Sequence, residues 1–496
     1  MLRRNLIFSF SGQILTILAM LLCTRLIYRS FGEEFLGLLS FATAFTFLLI
    51  VLSDMGFTPL LVREVASSQA DDPEYAVTLI SSIQTIGWIA FLIAVIVTLL
   101  ALPWIFDGWL QKSSAYNADV TLAFLFISVS LLIAIPRAIY GSVINAYHRA
   151  DIWNVLTLMA SLVQQLGLLF PILNGATVLE FSFCHLALSV LTLLPFVAYA
   201  VKLAGWRILG LRINTAVLKR NLAFGMKLLG NSLSGYFIAQ IDRWMISRFL
   251  PIGQLAFYSF SQSLTSKGGM FPNAVVGASF SLLTERMGNV AANDWRESYW
   301  KLQDLISFGL VPVTAATVLI GSVVTGLVFT EEIRVGMWPV LVILGIGQLL
   351  QGSLYLLSWI AIAQRDPGIA LKSNVGAMCF VLPVSALLCY YYDLIGAAAG
   401  SVLLGLWQFA FLLPRICRTW LAMDVSTWLL RFSRFLLPGL LCYFLPWLIG
   451  QGIGWASSPV FLSAVFIVGS AMYLFSSIYL LDAESRKIVR AMLKFR

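Results

Sequence analysis

Four basic side chains, Arg137, Lys227, Arg243 and Lys267, fall inside apolar runs long enough to cross a bilayer. A charge at the middle of a spanning helix costs roughly 2.5–3.5 kcal/mol on insertion scales, so it needs a partner or a wet cavity. One acid, Asp242, lies clearly among them within the runs. A space with cations in excess suits an anionic ligand, such as a diphosphate or an acidic sugar, and suits a cationic drug poorly. Hydroxyl and amide groups accompany the cations. Lys227, Asn231, Ser234, Gly235 and Asp242 follow helical spacing, so one face of that helix is polar over roughly 22 Å. Milder stripes carry Asn154, Thr157, Ser161 and Gln164 in one run, and Gln262, Ser263, Ser266 and Lys267 in another. Tyr355 and Trp359 offer aromatic faces on which a pyranose ring can stack. The residues expected to bind such a ligand are therefore Arg137, Lys227, Asn231, Gln262, Lys267 and Tyr355. Arg25, Asp54, Asp242 and Arg243 are expected at a gate or in ion pairs. Plainer roles stay open for several of them. Arg25 and Arg243 lie near span ends, where arginine also serves as an interfacial anchor or an inter-helix clamp. Lys227 is within snorkelling reach of the inner surface. Asp54, followed by Met55 and Gly56, suits a helix end better than a proton site. His148 and His185 read as structural.

The elements that position these groups must be membrane helices. The chain has 496 residues, of which 60% are hydrophobic and 11% charged. Soluble domains carry roughly 25% charged residues, so a soluble enzyme is excluded. About fourteen apolar segments of spanning length can be read between residues 5 and 481. They include 5–27 and 35–57 at the start, 221–247 and 254–281 in the middle, and 369–390, 395–414, 433–450 and 459–481 toward the end. The expected fold class is all-α: a polytopic membrane protein of about fourteen transmembrane helices. Its six cysteines show no metal-ligand spacing and read as buried free thiols, so no metal or other cofactor is expected. Met1 to Arg4 and the apolar run behind them resemble the start of a signal peptide, but no small-residue cleavage site follows, so the run is expected to stay as the first span.

Basic residues fix an expected orientation. With the N-terminus inside and fourteen alternating spans, about 23 of the 32 Lys and Arg fall in inside segments. The net charge of +9 is then a topology signal and an attraction to anionic inner-leaflet lipid, not a nucleic-acid footprint. Both termini are expected on the inside face of the membrane. An internal repeat is also legible. Arg25, Arg29, Leu36-Gly37 and Ser40-Phe41 are answered by Arg243, Arg248, Leu255-Ala256 and Ser259-Phe260, at an offset of about 219 residues. Ala146 to Asp151 is answered by Ala363 to Asp366 at a similar offset. The implied plan is two parallel six-helix lobes, 1–205 and 206–425, followed by two further helices and a tail, 426–496.

Arg25, Phe31-Gly32, Gly37, Asp54 with Gly56, and Arg63-Glu64 with Ala66 resemble the polysaccharide transporter (Wzx-type) flippases. So do Phe224-Gly225, Asp242-Arg243, Gly253 and Tyr258-Ser259. These flippases belong to the multidrug/oligosaccharidyl-lipid/polysaccharide exporter superfamily, and the resemblance runs from the start through the twelfth span. It implies a non-enzymatic carrier of undecaprenyl-diphosphate-linked oligosaccharide repeat units, moving them from the cytoplasmic to the periplasmic leaflet by alternating access. It also implies a lipid-tail groove on the last two helices. The related lipid II flippases carry several arginines in their first two spans. Here only Arg25 and Arg29 stand there, which argues for a different headgroup or gate.

No Walker motif is present, so energy is expected from an H+ or Na+ gradient or from the membrane potential. Expected partners are membrane lipid, the polyprenyl-linked substrate, and polysaccharide polymerase and chain-length proteins. Two rival functions fit less well. A cation-coupled multidrug exporter of the same superfamily predicts fewer spans and membrane-embedded acids. A polysaccharide polymerase or ligase needs a large outside loop or paired carboxylates, yet the loop at about 104–118 holds only Asp107 as an acid.

Overall fold

The computed structural model describes residues 2–69, 71–111, 116–276, 292–363, 368–456, 458–482 and 485–486, with side chains left aside at 2–14, 217–218, 220–228, 231, 292–294, 361–363 and 370. The described residues are helical almost throughout. In chain order the helices are α1 (Leu2–Asp54), α2 (Phe57–Ser68), α3 (Pro73–Pro103), α4 (Ala118–Leu132), α5 (Ala134–Ala146), α6 (Ala150–Gly167), α7 (Leu169–Leu173), α8 (Val178–Ala204), α9 (Thr215–Phe249), α10 (Ile252–Ser266), α11 (Ala292–Val328), α12 (Glu331–Ser353), α13 (Tyr355–Ala363), α14 (Gly368–Ile416), α15 (Val425–Gly439), α16 (Leu445–Ile453) and α17 (Pro459–Ser477).

Among the described residues, ten helical stretches are long and apolar enough to cross a membrane. Two of them contain an internal break where the sequence reading expects two spans. In α1 the break is Gly32, at φ 81°, a conformation in which an L side chain is strained. In α14 it is Tyr392 and Asp393, the latter at φ 53°. The expected seventh and eighth spans coincide with α9 and with α10 and its continuation, which are not among the ten. Their polar stripes lower the mean hydropathy that marks a span. An unbroken wall of exposed Leu, Ile and Val runs along α3, including Leu92, Ile96, Leu99 and Leu100. Such a surface is tolerable only against lipid.

Short polar residues set the helix ends. Asp72 accepts from the Tyr75 backbone at 3.0 Å, and Asn117 from Val120 at 2.9 Å. Thr177 and Glu180 form a reciprocal capping box at the start of α8. These caps satisfy backbone N–H groups that the membrane interior cannot. By contacts the chain divides into two compact units, Met1–Ala256 and Phe257–Arg496. The lobes expected from the sequence repeat divide at 205/206. The difference arises because α9 packs along α1, so contact groups it with the first unit.

The first unit has a core of Leu60, Leu79, Ile83, Tyr140, Val143 and Phe196. In the second unit the final helices are stitched onto α11. Trp428 donates to the Tyr299 hydroxyl at 2.9 Å, and the Tyr473 hydroxyl donates to the Phe308 carbonyl at 3.1 Å. Of the cysteines, Cys379 is exposed and Cys184 half-buried, so burial holds only for Cys23, Cys389, Cys417 and Cys442.

Candidate functional site

Arg137 is half-buried on α5 and lines a cavity of about 430 Å³. Thr157, Ser161, Gln164 and Gln165 of α6 line the same cavity, with Trp153 and Phe196. Among the described residues no carboxylate pairs with Arg137. The α6 stripe that the sequence marks as polar is thus turned toward a cation. Beneath it runs a hydrogen-bonded chain. The Ser130 hydroxyl sits 2.5 Å from His185 Nδ1 and 2.6 Å from the Ser189 hydroxyl. Ser189 donates to Gln164 Oε1 at 3.3 Å, and Gln164 Nε2 donates to the His185 carbonyl at 3.1 Å. His185 is therefore part of a network and not an isolated span residue. Only the tertiary fold could show this, because its partners Ser130 and Gln164 lie on two other helices.

Lys227 and Asn231 lie on α9, and their side chains fall outside the described residues. Asp242 and Arg243 are half-buried on α9, and Asp242 accepts from the Arg243 backbone N–H at 2.9 Å. Arg25 is half-buried on α1, on the N-terminal side of the Gly32 break. Asp54 accepts from the backbone and hydroxyl of Thr58. It anchors the start of α2 across Met55 and Gly56, which have positive φ of 44° and 75°. Among the described residues Asp54 forms no ion pair. The contact the structure shows for Asp54 is this cap, in line with the helix-end role that its sequence neighbours suggest.

The groups that hold α9 against the other helices of the first unit are mainly aromatic. Trp244 packs edge-on to Phe41 at 5.4 Å and to Trp109 at 5.5 Å, and its Nε1 donates to the Tyr236 hydroxyl at 2.7 Å. Tyr236 in turn donates to the Ala44 carbonyl at 2.7 Å. Trp109 donates to Ser247 at 3.0 Å, and Arg248 donates to the carbonyls of Gly108 and Trp109, each at 2.9 Å. Asp242 and Arg243 sit in the middle of this seam, but the sequence reading missed its tryptophans. The Trp104–Trp109 stretch reads as a loop and is in fact a π-helical turn aimed at α9.

In the second unit Lys267 opens a 3-10 turn, Lys267–Gly269, that interrupts the eighth span, and its side chain is exposed. Gln262 is half-buried one turn earlier on α10. Asn273 joins this turn to Tyr355. Its Nδ2 donates to the Gly269 carbonyl at 2.8 Å, and its Oδ1 accepts from the Tyr355 hydroxyl. The fold therefore brings Lys267 and Tyr355 to one locality through a residue the sequence did not single out. Arg137 belongs to the first unit, and Lys267, Gln262 and Tyr355 to the second. Of the two loop segments expected to correspond, the first pairs Arg149 with Asp151 at 3.2 Å, whereas Gln364 to Asp366 of the second lie outside the described residues.

Two further features stand in the second unit. A groove of about 650 Å³ in the second unit is lined by Val311, Val318, Trp338, Ile343, Leu440 and Trp447 among others, and it is almost wholly apolar. Trp338 and Trp447 stack at 5.5 Å at one end of it. Beside them Gln451 and the buried Arg334, paired with Glu331, join Val335 and the two tryptophans in lining a smaller cavity of about 300 Å³. Separately, Arg431 of α15 holds Asp304 of α11 by two donors, at 3.0 and 2.8 Å, and stands 4.3 Å from the Trp300 ring centre.

Long apolar helices, polar cavities walled by membrane-spanning segments and an apolar groove define a polytopic membrane transporter fold. A family model described as polysaccharide biosynthesis protein matches residues 2–285. The chain belongs to that family. It is 21% identical over 429 residues to a Shigella flexneri protein assigned as an O-antigen transporter, covering 84% of this chain and 97% of the relative. Its fold is similar to that of the lipid II flippase MurJ, with TM-score 0.69 and 14% identity over 96% of this chain and 98% of the other. It is also similar to an inward-facing MATE multidrug transporter, with TM-score 0.64 and 15% identity over 81% and 95% of the two chains.

Proposed function

We propose that this protein is a flippase for polyprenyl-diphosphate-linked oligosaccharide repeat units. It moves them from the cytoplasmic to the periplasmic leaflet of a bacterial inner membrane, by alternating access, for O-antigen, capsule or exopolysaccharide synthesis. The observation that carries this reading is the 650 Å³ apolar groove in a chain whose spans also hold cations and hydroxyls. An amphiphile with a long hydrocarbon tail and an anionic, sugar-bearing head needs both. A small drug needs one pocket, and a neutral lipid has no use for Arg137. In this scheme Lys227 meets the headgroup first, Arg137 and Lys267 hold its anionic groups, and Asn231, Gln262 and Tyr355 contact sugars. The α9 seam, with Asp242 and Arg243 beside the tryptophans, and with Arg25 on the first span, serves as the outer gate. An H+ or Na+ gradient or the membrane potential drives the cycle, and polymerase and chain-length proteins take the product.

The test is a strain that depends on this gene for surface polysaccharide. Replacing both Arg137 and Lys267 by Glu is expected to abolish display and to leave lipid-linked repeat units in the inner leaflet. Full display in the double variant sinks the binding assignment. A deletion strain with altered drug sensitivity and normal polysaccharide favours the exporter reading.

A further inference from the structure

The cavity at Arg137 is built from the first unit alone, by α5, α6 and α8. Its volume of about 430 Å³ falls in the range of pockets that enclose small molecules. Three chemistries meet in it. Arg137 supplies a fixed positive charge with a planar fork of donors suited to a two-oxygen anion, and no acid among the described residues neutralises it. Thr157, Ser161 and Gln165 supply short hydroxyl and amide groups, and Gln165 Oε1 is buried without a protein donor. Trp153 supplies aromatic surface and is held by an edge contact to Phe196 at 5.6 Å. Gln164 is fixed from behind by Ser189 and the His185 carbonyl, so the polar wall is braced rather than mobile.

We propose that this cavity binds one sugar unit that carries an oxyanion, either a carboxylate or a phosphate. The anion meets the Arg137 guanidinium, the ring hydroxyls meet Thr157, Ser161 and Gln165, and the ring lies against Trp153. A neutral sugar leaves the guanidinium without a counter-charge. A bare inorganic anion leaves Trp153 and the hydroxyl groups unused. A lipid tail strands four polar side chains. This rests on the flippase reading for the origin of the sugar, which is part of the carried headgroup, but the binding chemistry stands by itself.

The test uses the purified full chain in lipid nanodiscs, with binding read by saturation-transfer NMR and calorimetry. The probes are glucuronic acid, glucose 1-phosphate, glucose and inorganic phosphate. Both charged sugars are expected to bind roughly tenfold or more tightly than glucose and than phosphate. Which of the two binds better tells whether the anion comes from a uronic acid or from a phosphate-linked unit. Arg137→Gln is expected to erase the preference for charge, and Arg137→Lys to retain part of it. Gln165→Glu places a counter-charge beside the guanidinium without removing it and is expected to erase the preference too, which guards against misfolding of the Arg137 variants. Trp153→Leu is expected to weaken the sugars and spare phosphate. Equal binding of glucose and glucuronic acid, phosphate binding as tightly as the charged sugars, or no effect of either charge variant overturns the proposal. Charged-sugar binding that needs Arg137, in a protein whose deletion leaves surface polysaccharide intact, overturns the flippase reading and not the site.

Discussion

Arg137 and Arg431 are both guanidiniums on helices of a membrane protein, yet their surroundings give them opposite tasks. Arg431 is held by Asp304 and lies over Trp300, so its charge is consumed inside the fold. Arg137 faces a cavity in which no acid among the described residues meets it. The sequence reading treats Arg431 as one of the inside-surface charges, and nothing in its neighbours along the chain announces Asp304, which stands on another helix. The two partners differ in exposure: the Asp304 side chain is 9% exposed and that of Arg431 35%. Removing Arg431 therefore strands a buried carboxylate, which costs about 3–5 kcal/mol for a buried pair. Removing Asp304 leaves an arginine that still reaches water and still covers Trp300. Arg431→Ala is thus expected to lower the thermal midpoint in detergent more than Asp304→Ala, with the double variant less harmed than the sum of the two. Equal single effects that add without coupling contradict the pair.

At the scale of elements, two breaks and one close approach do most of the shaping. Gly32 and the Tyr392–Asp393 step each turn one long helix into the two spans that hydropathy asks for. These were legible, because hydropathy dips where the chain must turn. The approach of α17 to the π-helical stretch Leu440–Phe444 was not. A Cβ at Gly469 would lie 2.6 Å from the Cys442 carbonyl oxygen and 2.9 Å from the Tyr443 ring. Backbone cannot yield there as a side chain can. Gly469→Leu is expected to cost about 1–3 kcal/mol by overpacking. It should push α17 off the wall of the apolar groove, seen as a lower thermal midpoint and as easier labelling of a cysteine introduced at Ser470. An unchanged midpoint and unchanged labelling contradict the close approach of the two helices. The α9 seam teaches the same lesson. The sequence points to Asp242 and Arg243 by their charge, whereas the seam is made by Trp244, Trp109 and Tyr236. Aromatic residues are common enough in membrane spans that no pattern marks them out.

For the whole molecule, the asymmetry of Lys and Arg predicts which side each loop occupies. Reporter enzymes active only outside the cytoplasm should work when fused in the loop at 104–118 and stay silent when fused near 205 or at the C-terminus. Activity at the C-terminus would reverse the orientation or change the parity of the spans. The small charged share of the chain, its apolar runs and its repeated motifs were enough to settle the membrane class, the helical fold and the family. These are sums and periodicities, and lipid imposes them on the sequence directly because every exposed backbone group must be satisfied within its own helix. What tertiary structure alone decided is which polar groups share a space: Arg137 with the α6 stripe, Tyr355 with the Lys267 turn through Asn273, Arg431 with Asp304, and Trp338 with Trp447 over the apolar groove. Those pairings join residues far apart in the chain. They are set by how helices pack, by ridges, close approaches and breaks that no local spacing encodes.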